Sequence, residues 1–385
     1  MPENNGIPLT RRRFALGTVG SIVGLAGVAS AREDDNSAPV KILKGTVASP
    51  VTDRAIETLR ERFFEEYGPD SSRQTVAAEV EQDSKVVVGY LIGLKNGAPY
   101  ELIKELPENI SSDLAEKKTK EAHDRIDSIA QAFRAGKMAQ DGQPSTTEVT
   151  ISGDGGAVDW SKSFELEAEV HRDATVTAPD AGSSYPEWCG DIEADNYLLS
   201  VPDSNYANEW AVDFQVDFWP QVNEGDQQGD WDTEMEWNNY QSYITTRWDD
   251  SHFPLKDVVD MSPTRERKTS FNGSVSLSAS NSVSGAVEVT PATPYIGVDT
   301  QNSRDEYVKT HLYYPYPLWK WLSNIGRYNQ ITFGQSSVAT FGSGGSYDSY
   351  IVGCEVDHTF KAGDPNSAAP ERGENILIGW DVRET

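Results

Sequence analysis

Residues 210–218 read WAVDFQVDF, and this stretch decides the fold class of most of the chain because apolar residues occupy every second position. Such alternation is typical of a β-strand that buries one face. Residues 164–171 (FELEAEVH) and 230–237 (DWDTEMEW) repeat the pattern with acidic residues at the other positions. No long helical pattern appears after Asp141. We therefore predict a mainly antiparallel, sandwich-like β domain over residues 147–385.

The sequence before this domain has a different pattern. Thr52 is a candidate N-cap for a first helix that Gly68-Pro69 ends, and Asn96-Gly97 is a hairpin signal between two β-prone runs. A second helix follows Ser111 and ends at Gly136. Its predicted apolar face consists of Leu114, Ala122, Ile126, Ile129, Ala130 and Phe133. The predicted fold class is therefore α+β: a small helix-hairpin-helix N-terminal unit over residues 51–137, followed by the antiparallel β domain.

The N-terminus carries the pattern of an export signal. Arg11 and Arg12 precede a short, glycine-interrupted apolar stretch, and Ala29 and Ala31 form a small-x-small cleavage site. We predict a twin-arginine signal peptide over residues 1–31 and linkers over 32–50 and 138–146. The apolar stretch is too short for a membrane-spanning helix, which needs about 20 apolar residues, so we predict no transmembrane anchor in the mature chain.

Acidic residues dominate the composition. The 61 Asp and Glu outnumber the 33 Lys and Arg, so the formal net charge is −28. Together with the signal, this balance resembles twin-arginine-exported proteins of halophilic archaea, and the resemblance implies a secreted or cell-surface protein that meets the twin-arginine translocase and folds in strong salt. Binding to nucleic acid is excluded because it needs a basic surface.

Cys189 and Cys354 are the only cysteines. In an exported protein they could form one disulfide that ties the middle of the chain to its end, and we predict that bond. The alternative is two separately buried thiols. A zinc site is not expected, because neither cysteine has a ligand partner at zinc spacing.

Motifs of common enzymes are absent from the sequence. It contains no G-x-S-x-G, no H-E-x-x-H, no Walker A loop and no dinucleotide fingerprint, so no catalytic residue is predicted. Asp191, Glu193 and Asp195 place oxygen atoms at alternate positions, which suits calcium. In so acidic a chain the same run is also expected on a solvated surface. Calcium is therefore a candidate, and no other cofactor is predicted.

A second distinctive segment is rich in aromatic residues and proline. Residues 312–322 read LYYPYPLWKWL. The candidate binding residues in it are Tyr313, Tyr314, Tyr316, Trp319 and Trp321. When exposed, such rings stack on sugars or lie at a membrane interface. When buried, the segment would close one end of the β core.

A third segment alternates valine or leucine with serine. From Val275 to Val289 apolar residues share one parity and serines the other, and no charge occurs between Lys268 and Glu288. The segment resembles the Ser/Thr-rich amphipathic hairpins that pore-forming toxins insert into membranes. Two membrane strands of ~9–11 residues do not fit between Phe271 and Pro291 with a turn, and ordinary sandwich strands with a serine face are the alternative.

Three functions follow from these observations. The first is a non-catalytic, secreted or surface-associated binding protein whose partner is an envelope or polysaccharide ligand. The second is a membrane-active, pore-forming, toxin-like protein that uses residues 275–289. The third is a calcium-assisted extracellular hydrolase. By analogy with other exported proteins, residues 51–137 could also be a removable pro-region.

Overall fold

Fifteen strands and two helices occupy the part of the chain that the computed structural model describes. The described residues are 38–68, 73–78, 85–95, 97–136, 165–180, 185–200, 209–221, 237–248, 255–262, 269–275, 289–303, 307–314, 331–341, 349–363 and 370–384. Residues 35–385 form one compact unit. The predicted signal peptide, the linker over 138–146 and residues 276–288 lie outside the described residues.

Eight strands form the first sheet, in the spatial order β1-β3-β4-β5-β6-β7-β13-β9. In chain order they are β1 (Val40–Lys44), β3 (Lys85–Lys95), β4 (Ala98–Pro107), β5 (Glu165–Thr177), β6 (Trp188–Ser200), β7 (Glu209–Pro220), β9 (Leu255–Ser262) and β13 (Ile331–Phe341). Neighbouring strands are antiparallel except β4 and β5, which are parallel. The edge strand β1 lies within the stretch that the sequence predicted to be a linker.

Seven strands form the second sheet, in the spatial order β10-β11-β12-β8-β14-β15-β2. In chain order they are β2 (Arg73–Ala78), β8 (Trp237–Trp248), β10 (Thr269–Val275), β11 (Val289–Ser303), β12 (Tyr307–Tyr313), β14 (Ser349–Ala362) and β15 (Glu371–Glu384). The described pairs in this sheet are all antiparallel.

The two sheets pack face to face over one large apolar core. The first sheet contributes Phe214 and Phe218 to it, and the second contributes Trp237 and Trp380, all with no accessible surface. The predicted strand over residues 210–218 is confirmed by β7, whose alternate apolar side chains enter this core. Burying one such large side chain contributes ~1.5–3 kcal/mol, so alternation along the strands determines which face each sheet presents.

Two helices cover opposite faces of the β3–β4 hairpin. The first, α1 (Asp53–Tyr67), buries Ile56 and Phe63, and the second, α2 (Ser112–Arg134), buries Ile126 and Phe133. The helix ends agree with the sequence signals: the Thr52 hydroxyl accepts the Ala55 N–H at 3.3 Å, and α1 ends at Gly68.

The predicted α+β fold class with a helix-hairpin-helix unit is wrong. The described chain is mostly β, and the hairpin of that unit is part of the eight-stranded sheet, because β3 pairs with β1 and β4 pairs with β5. Local patterns identified α1, β3, β4 and α2 but missed β1 and β2, and Gly97 of the predicted hairpin signal has φ +88°. The patterns did not reveal that the free edge of β4 pairs with β5 after the α2 crossover.

Candidate functional site

The outer face of the first sheet is polar where α2 crosses it. We call it the α2-side face, and it comprises the side chains of β4, β5 and β6 that lie on the same side of the sheet. They are Tyr100, Lys104, Glu169, His171, Asp173, Thr175, Asp191, Glu193, Asp195 and Tyr197. The opposite face of β5 and β6 supplies the apolar core, so this one sheet separates a charged layer from an apolar one.

A histidine lies between two carboxylates at the centre of the α2-side face. His171 Nδ1 is 2.5 Å from Asp195 Oδ1, and its Nε2 is 2.6 Å from Glu169 Oε1. Burial by itself would lower the pKa of His171, but the charges and hydrogen bonds of Asp195 and Glu169 outweigh burial and raise the pKa to about 9. His171 is therefore an imidazolium near neutral pH. Both ring nitrogens donate, so it cannot serve as a general base.

Other cations complete this charge network. Lys95 Nζ lies 3.0 Å from Glu169 Oε2. Lys104 pairs with Asp173, and burial, with Arg125 nearby, lowers the pKa of Lys104 to about 7. The pKa of Asp195 is lowered although burial opposes ionisation, because His171 and Arg125 favour the carboxylate. Arg125 joins α2 to the sheet, and Lys95 joins β3 to β5 within the sheet.

The three candidate calcium ligands do lie together on β6. Asp191 Oδ2 accepts from Lys118 Nζ at 2.7 Å, Glu193 pairs with Arg125, and Asp195 pairs with His171. Each carboxylate would have to exchange a cationic side chain for calcium. Across the described ranges, no group of three or more His, Cys, Asp or Glu side chains has metal-binding geometry.

A serine, a histidine and a tyrosine meet inside the core. Ser242 Oγ lies 2.7 Å from His358 Nδ1 and 3.2 Å from the Tyr314 hydroxyl. This distance would suit a nucleophile and its base. Ser242 and His358 have no accessible surface, however, and burial lowers the pKa of His358 well below its usual value. The neutral imidazole is stacked on Phe218, with ring centroids 4.1 Å apart, so the cluster is a packed part of the core.

The structure describes only the beginning of the aromatic segment. Tyr313 ends β12, and Tyr314 is 3% exposed within the core. Tyr316, Trp319 and Trp321 lie outside the described residues. Among the five candidate binding residues, Tyr314 therefore has a described position, and it is buried in the core rather than exposed to a ligand.

The predicted disulfide is wrong. Cys189 on β6 and Cys354 on β14 are both free and buried, and they are not at disulfide distance. Each thiol has its own polar neighbour: Cys189 Sγ is 3.8 Å from the Glu187 carbonyl oxygen, and Cys354 Sγ is 3.8 Å from Thr246 Oγ1. Export made a bond plausible, but a disulfide requires Cα atoms within about 7 Å of each other, and these two cysteines are not at that distance.

We expect both cysteines to be unreactive in the folded protein. Burial raises the pKa of Cys354 to about 12, and it also raises the pKa of Cys189, so the reactive thiolate is scarce. An alkylating reagent should label neither residue in molar salt and both after unfolding. Mass spectrometry checks this, with mass before and after reduction as the control. A mass that rises on reduction would show a disulfide and contradict the prediction.

Sequence reasoning missed one exposed aromatic side chain. Trp219, near the end of β7, is 40% exposed, and it is the only exposed large apolar side chain in the described part of the chain. It lies directly opposite Asp191 on β6. Gly190 allows this close approach, because a Cβ there would come within 2.5 Å of the Trp219 carbonyl oxygen.

The β10–β11 hairpin lies at one edge of the second sheet. Within the described ranges, β11 pairs with β12 from Gly297 to Ser303, and its residues 289–296 continue beyond the described end of β12 for roughly 25 Å. Beyond that end β11 pairs with β10, and the last described pair is Val275 with Val289. Two prolines, Pro291 and Pro294, fall in this part, where missing backbone donors cost no bond to β12.

No described helix has the length and apolar character needed to cross a membrane.

Comparisons with known proteins identify no family for this chain. No protein-family model matches it, and no curated protein matches it. Among solved structures, Clostridium perfringens delta-toxin is 9% identical with a TM-score of 0.25, covering 61% of this chain and 96% of its own. A structure titled pore forming protein is 7% identical with a TM-score of 0.23, covering 60% and 92%. The membrane-inserted form of the Clostridium perfringens NetB toxin is 9% identical with a TM-score of 0.22, covering 56% and 94%. TM-scores this low do not establish a common fold.

Proposed function

We propose that this protein is exported and membrane-active, and that its β10–β11 hairpin inserts into a lipid bilayer to form part of a pore. The register of the hairpin carries the proposal. The described ladder reaches the pair Val275 and Val289, and the amphipathic residues 276–288 connect these two positions in the sequence.

Length supports the proposal. Two membrane strands and a turn do not fit between Phe271 and Pro291, the limits that the sequence pattern gives. The described strands continue past both limits, because Thr269 pairs with Val298. A hairpin over residues 269–298 offers roughly a dozen residues per strand, above the ~9–11 that cross a bilayer.

The register also supports a two-faced hairpin in the inserted state. If the pairing at Val275 and Val289 continued toward the turn, Leu277 would pair with Val287 on the same face. Ser276, Ser278, Ser280 and Ser284 would share the other face with Glu288. One face would then be apolar for lipid and the other polar for water, as in membrane-spanning hairpins.

Charge supports the same segment. Between Lys268 and Asp299 the sequence contains one charged residue, Glu288, in a chain in which 24% of residues are charged. Glu288 has the parity of the serines, so in this arrangement it would face water. On the lipid face near the bilayer centre a lysine or arginine would cost ~2–4 kcal/mol, and a glutamate would be destabilising by a smaller amount.

The edge position supports release of the hairpin. Within the described ranges, only the seven residue pairs from Gly297 to Ser303 join it to the rest of the second sheet. Insertion would therefore require few sheet contacts to break. Export by the twin-arginine translocase and a secreted or cell-surface location belong to this proposal, and the sequence features at Arg11 and Arg12 support them.

We expect the protein that begins at Arg32 to release dye from vesicles in molar salt. Leu277→Glu should reduce the release rate by about tenfold or more, because it places a charge on the apolar face. Ser278→Glu is the matched control, since the same charge on the polar face should leave release near the wild-type rate. Circular dichroism of the soluble proteins checks that both variants fold.

Two outcomes would reject the proposal. One is no release by the wild type from either phosphatidylcholine or phosphatidylglycerol vesicles. The other is equal release by the Leu277→Glu and Ser278→Glu variants. A calcium-assisted hydrolase would instead degrade an extracellular polymer and lose that activity with a chelator.

A further inference from the structure

We infer that Trp219, with Asp191 and Lys118 beside it, forms a binding site for a pyranose ring of a neutral surface glycan. The site is at the end of β7 and the beginning of β6, on the α2-side face. The inference does not depend on membrane insertion, because none of its residues belongs to the β10–β11 hairpin.

The exposed ring is the first element of the site. Trp219 follows Phe218, whose side chain is buried in the core, so Trp219 has the parity of the polar residues Asp213 and Asp217. A 40% exposed indole therefore lies on an otherwise polar surface. Its π face is electron-rich and attracts the C–H edges of a ring laid against it, as one face of a pyranose offers.

The polar group beside the ring is fixed in place. Asp191 Oδ1 accepts from Thr175 Oγ1 at 2.7 Å and from Trp188 Nε1 at 3.3 Å, while Oδ2 accepts from Lys118 Nζ at 2.7 Å. Its side chain is still 25% exposed. A carboxylate has about four acceptor positions, so one remains for a ligand hydroxyl. Asp191 and Trp219 are cross-strand partners, which brings their Cβ atoms to ~5 Å.

Lys118 makes the arrangement rigid. Its ammonium lies 3.8 Å from the centre of the Trp188 ring, and its side chain is buried. This cation–π contact and the Asp191 ion pair hold the lysine, so the acceptor beside Trp219 is preorganised. A binding site gains affinity when its polar groups are already oriented.

Local charge decides the class of ligand. Both carboxylates of β6 near Trp219 already have a cationic partner, because Lys118 pairs with Asp191 and Glu121, and Arg125 pairs with Glu193 and Asp173. A cationic ligand would gain little there. An anionic lipid headgroup would approach a chain of net charge −28. A neutral ligand with hydroxyl groups and an apolar ring face fits both the indole and the acceptor.

The site lies at the same end of the sandwich as the projecting hairpin. Trp237, at the beginning of β8, donates from Nε1 to the Pro186 carbonyl oxygen at 2.8 Å, which joins the start of β8 to the segment before β6. Tyr313 of β12 pairs with Gln241 near that start. A glycan held by Trp219 would therefore bring this end of the protein toward the surface that carries the glycan.

The test is calorimetric titration of the full mature chain, in molar salt, with neutral hexasaccharides of glucose, mannose and N-acetylglucosamine. We expect at least one to bind, Trp219→Ala to weaken binding by about tenfold, and Trp219→Phe to retain most of it. Asp191→Asn should weaken it several-fold. Tyr243→Ala is the control, because it removes a partly exposed ring on the second sheet.

Failure of any hexasaccharide to bind overturns the inference, as does equal binding by the wild type and the Trp219→Ala variant. Tetramethylammonium and phosphatidylglycerol vesicles are tested in parallel. Trp219-dependent binding to either of these without sugar binding would also overturn it. Dye release is measured on vesicles without glycan, so loss of pore formation and loss of sugar binding are read separately.

Discussion

Replacing Glu101 with alanine should lower the free energy of unfolding by about 3–5 kcal/mol. Glu101 lies beneath α1 and is 2% exposed, and Arg60 of that helix is 7% exposed. The guanidinium donates to both carboxylate oxygens, with Arg60 Nη2 2.6 Å from Oε2 and Nε 3.2 Å from Oε1. The Tyr90 hydroxyl donates to Oε2 at 2.7 Å.

The large effect comes from the partner that remains. Without Glu101, the guanidinium of Arg60 and the hydroxyl of Tyr90 stay buried with no acceptor from that side chain, and leaving a charge in that state is costlier than the ion pair was worth. The double variant Arg60→Met with Glu101→Leu removes both charges and should recover most of the loss. Denaturant unfolding in molar salt measures the three proteins.

An exposed ion pair provides the matched control. Lys120 and Asp124 pair across one turn of α2 on the solvent side, at 2.5 Å. Asp124→Ala should leave the unfolding midpoint unchanged, because exposed pairs contribute little and are screened in strong salt. If Glu101→Ala were no more destabilising than Asp124→Ala, the buried network would not hold α1 to the sheet.

The sequence predicted the elements better than their arrangement. Local signals fixed the ends of α1 and α2, and alternation over 210–218 identified β7, because caps and side-chain parity depend on neighbouring residues. The parallel pair of β4 and β5 joins residues separated by a helix and a long connection. This pairing is made by backbone hydrogen bonds between distant parts of the chain, and such bonds produce no pattern in the local sequence.

The candidate sites show the same division. Alternation correctly placed Asp191, Glu193 and Asp195 on one face, but their cations come from α2 and β5, which sequence spacing does not indicate. Ser242 and His358 meet only because β8 and β14 pair in that register. One signal for Trp219 was available: an aromatic residue at a polar position of a strand is out of pattern.

Protonated His171 should make the free energy of unfolding fall as the pH becomes alkaline. His171 has its pKa raised from 6.5 to about 9 by folding, because Asp195 and Glu169 hold the imidazolium despite burial. A raised pKa stabilises the folded state fully below about pH 6.5, and that stabilisation is lost as the pH rises through about 9. The shift corresponds to about 3 kcal/mol.

Replacing His171 with glutamine should remove this alkaline dependence. The variant keeps a polar side chain but leaves Glu169 and Asp195 facing each other, with Lys95 and Arg125 as the remaining nearby cations. We expect it to be about 3 kcal/mol less stable than the wild type near neutral pH. Above about pH 9 the two proteins should converge, because the wild type has then lost the same charge.

Three titratable side chains near His171 decide whether the pH dependence can be assigned to the histidine. Tyr100 and Tyr197 have raised pKa values because of burial and nearby carboxylates, so they stay neutral through this pH range. Lys104 has a pKa of about 7, lowered by burial, and titrates within the range in both the wild type and the variant. The difference between the two stability curves therefore isolates the histidine.

His358→Gln is the matched control for this experiment. His358 is also buried, but its pKa is lowered by burial, so it is neutral across the alkaline range in both folded and unfolded protein. Its replacement costs stability through lost packing on Phe218 and should leave the slope between about pH 6.5 and about pH 9 as in the wild type. Denaturant midpoints at a series of pH values distinguish the cases. A His171→Gln protein that kept the wild-type slope would show that another group carries the alkaline dependence, and the imidazolium would then have no part in joining β5 to β6.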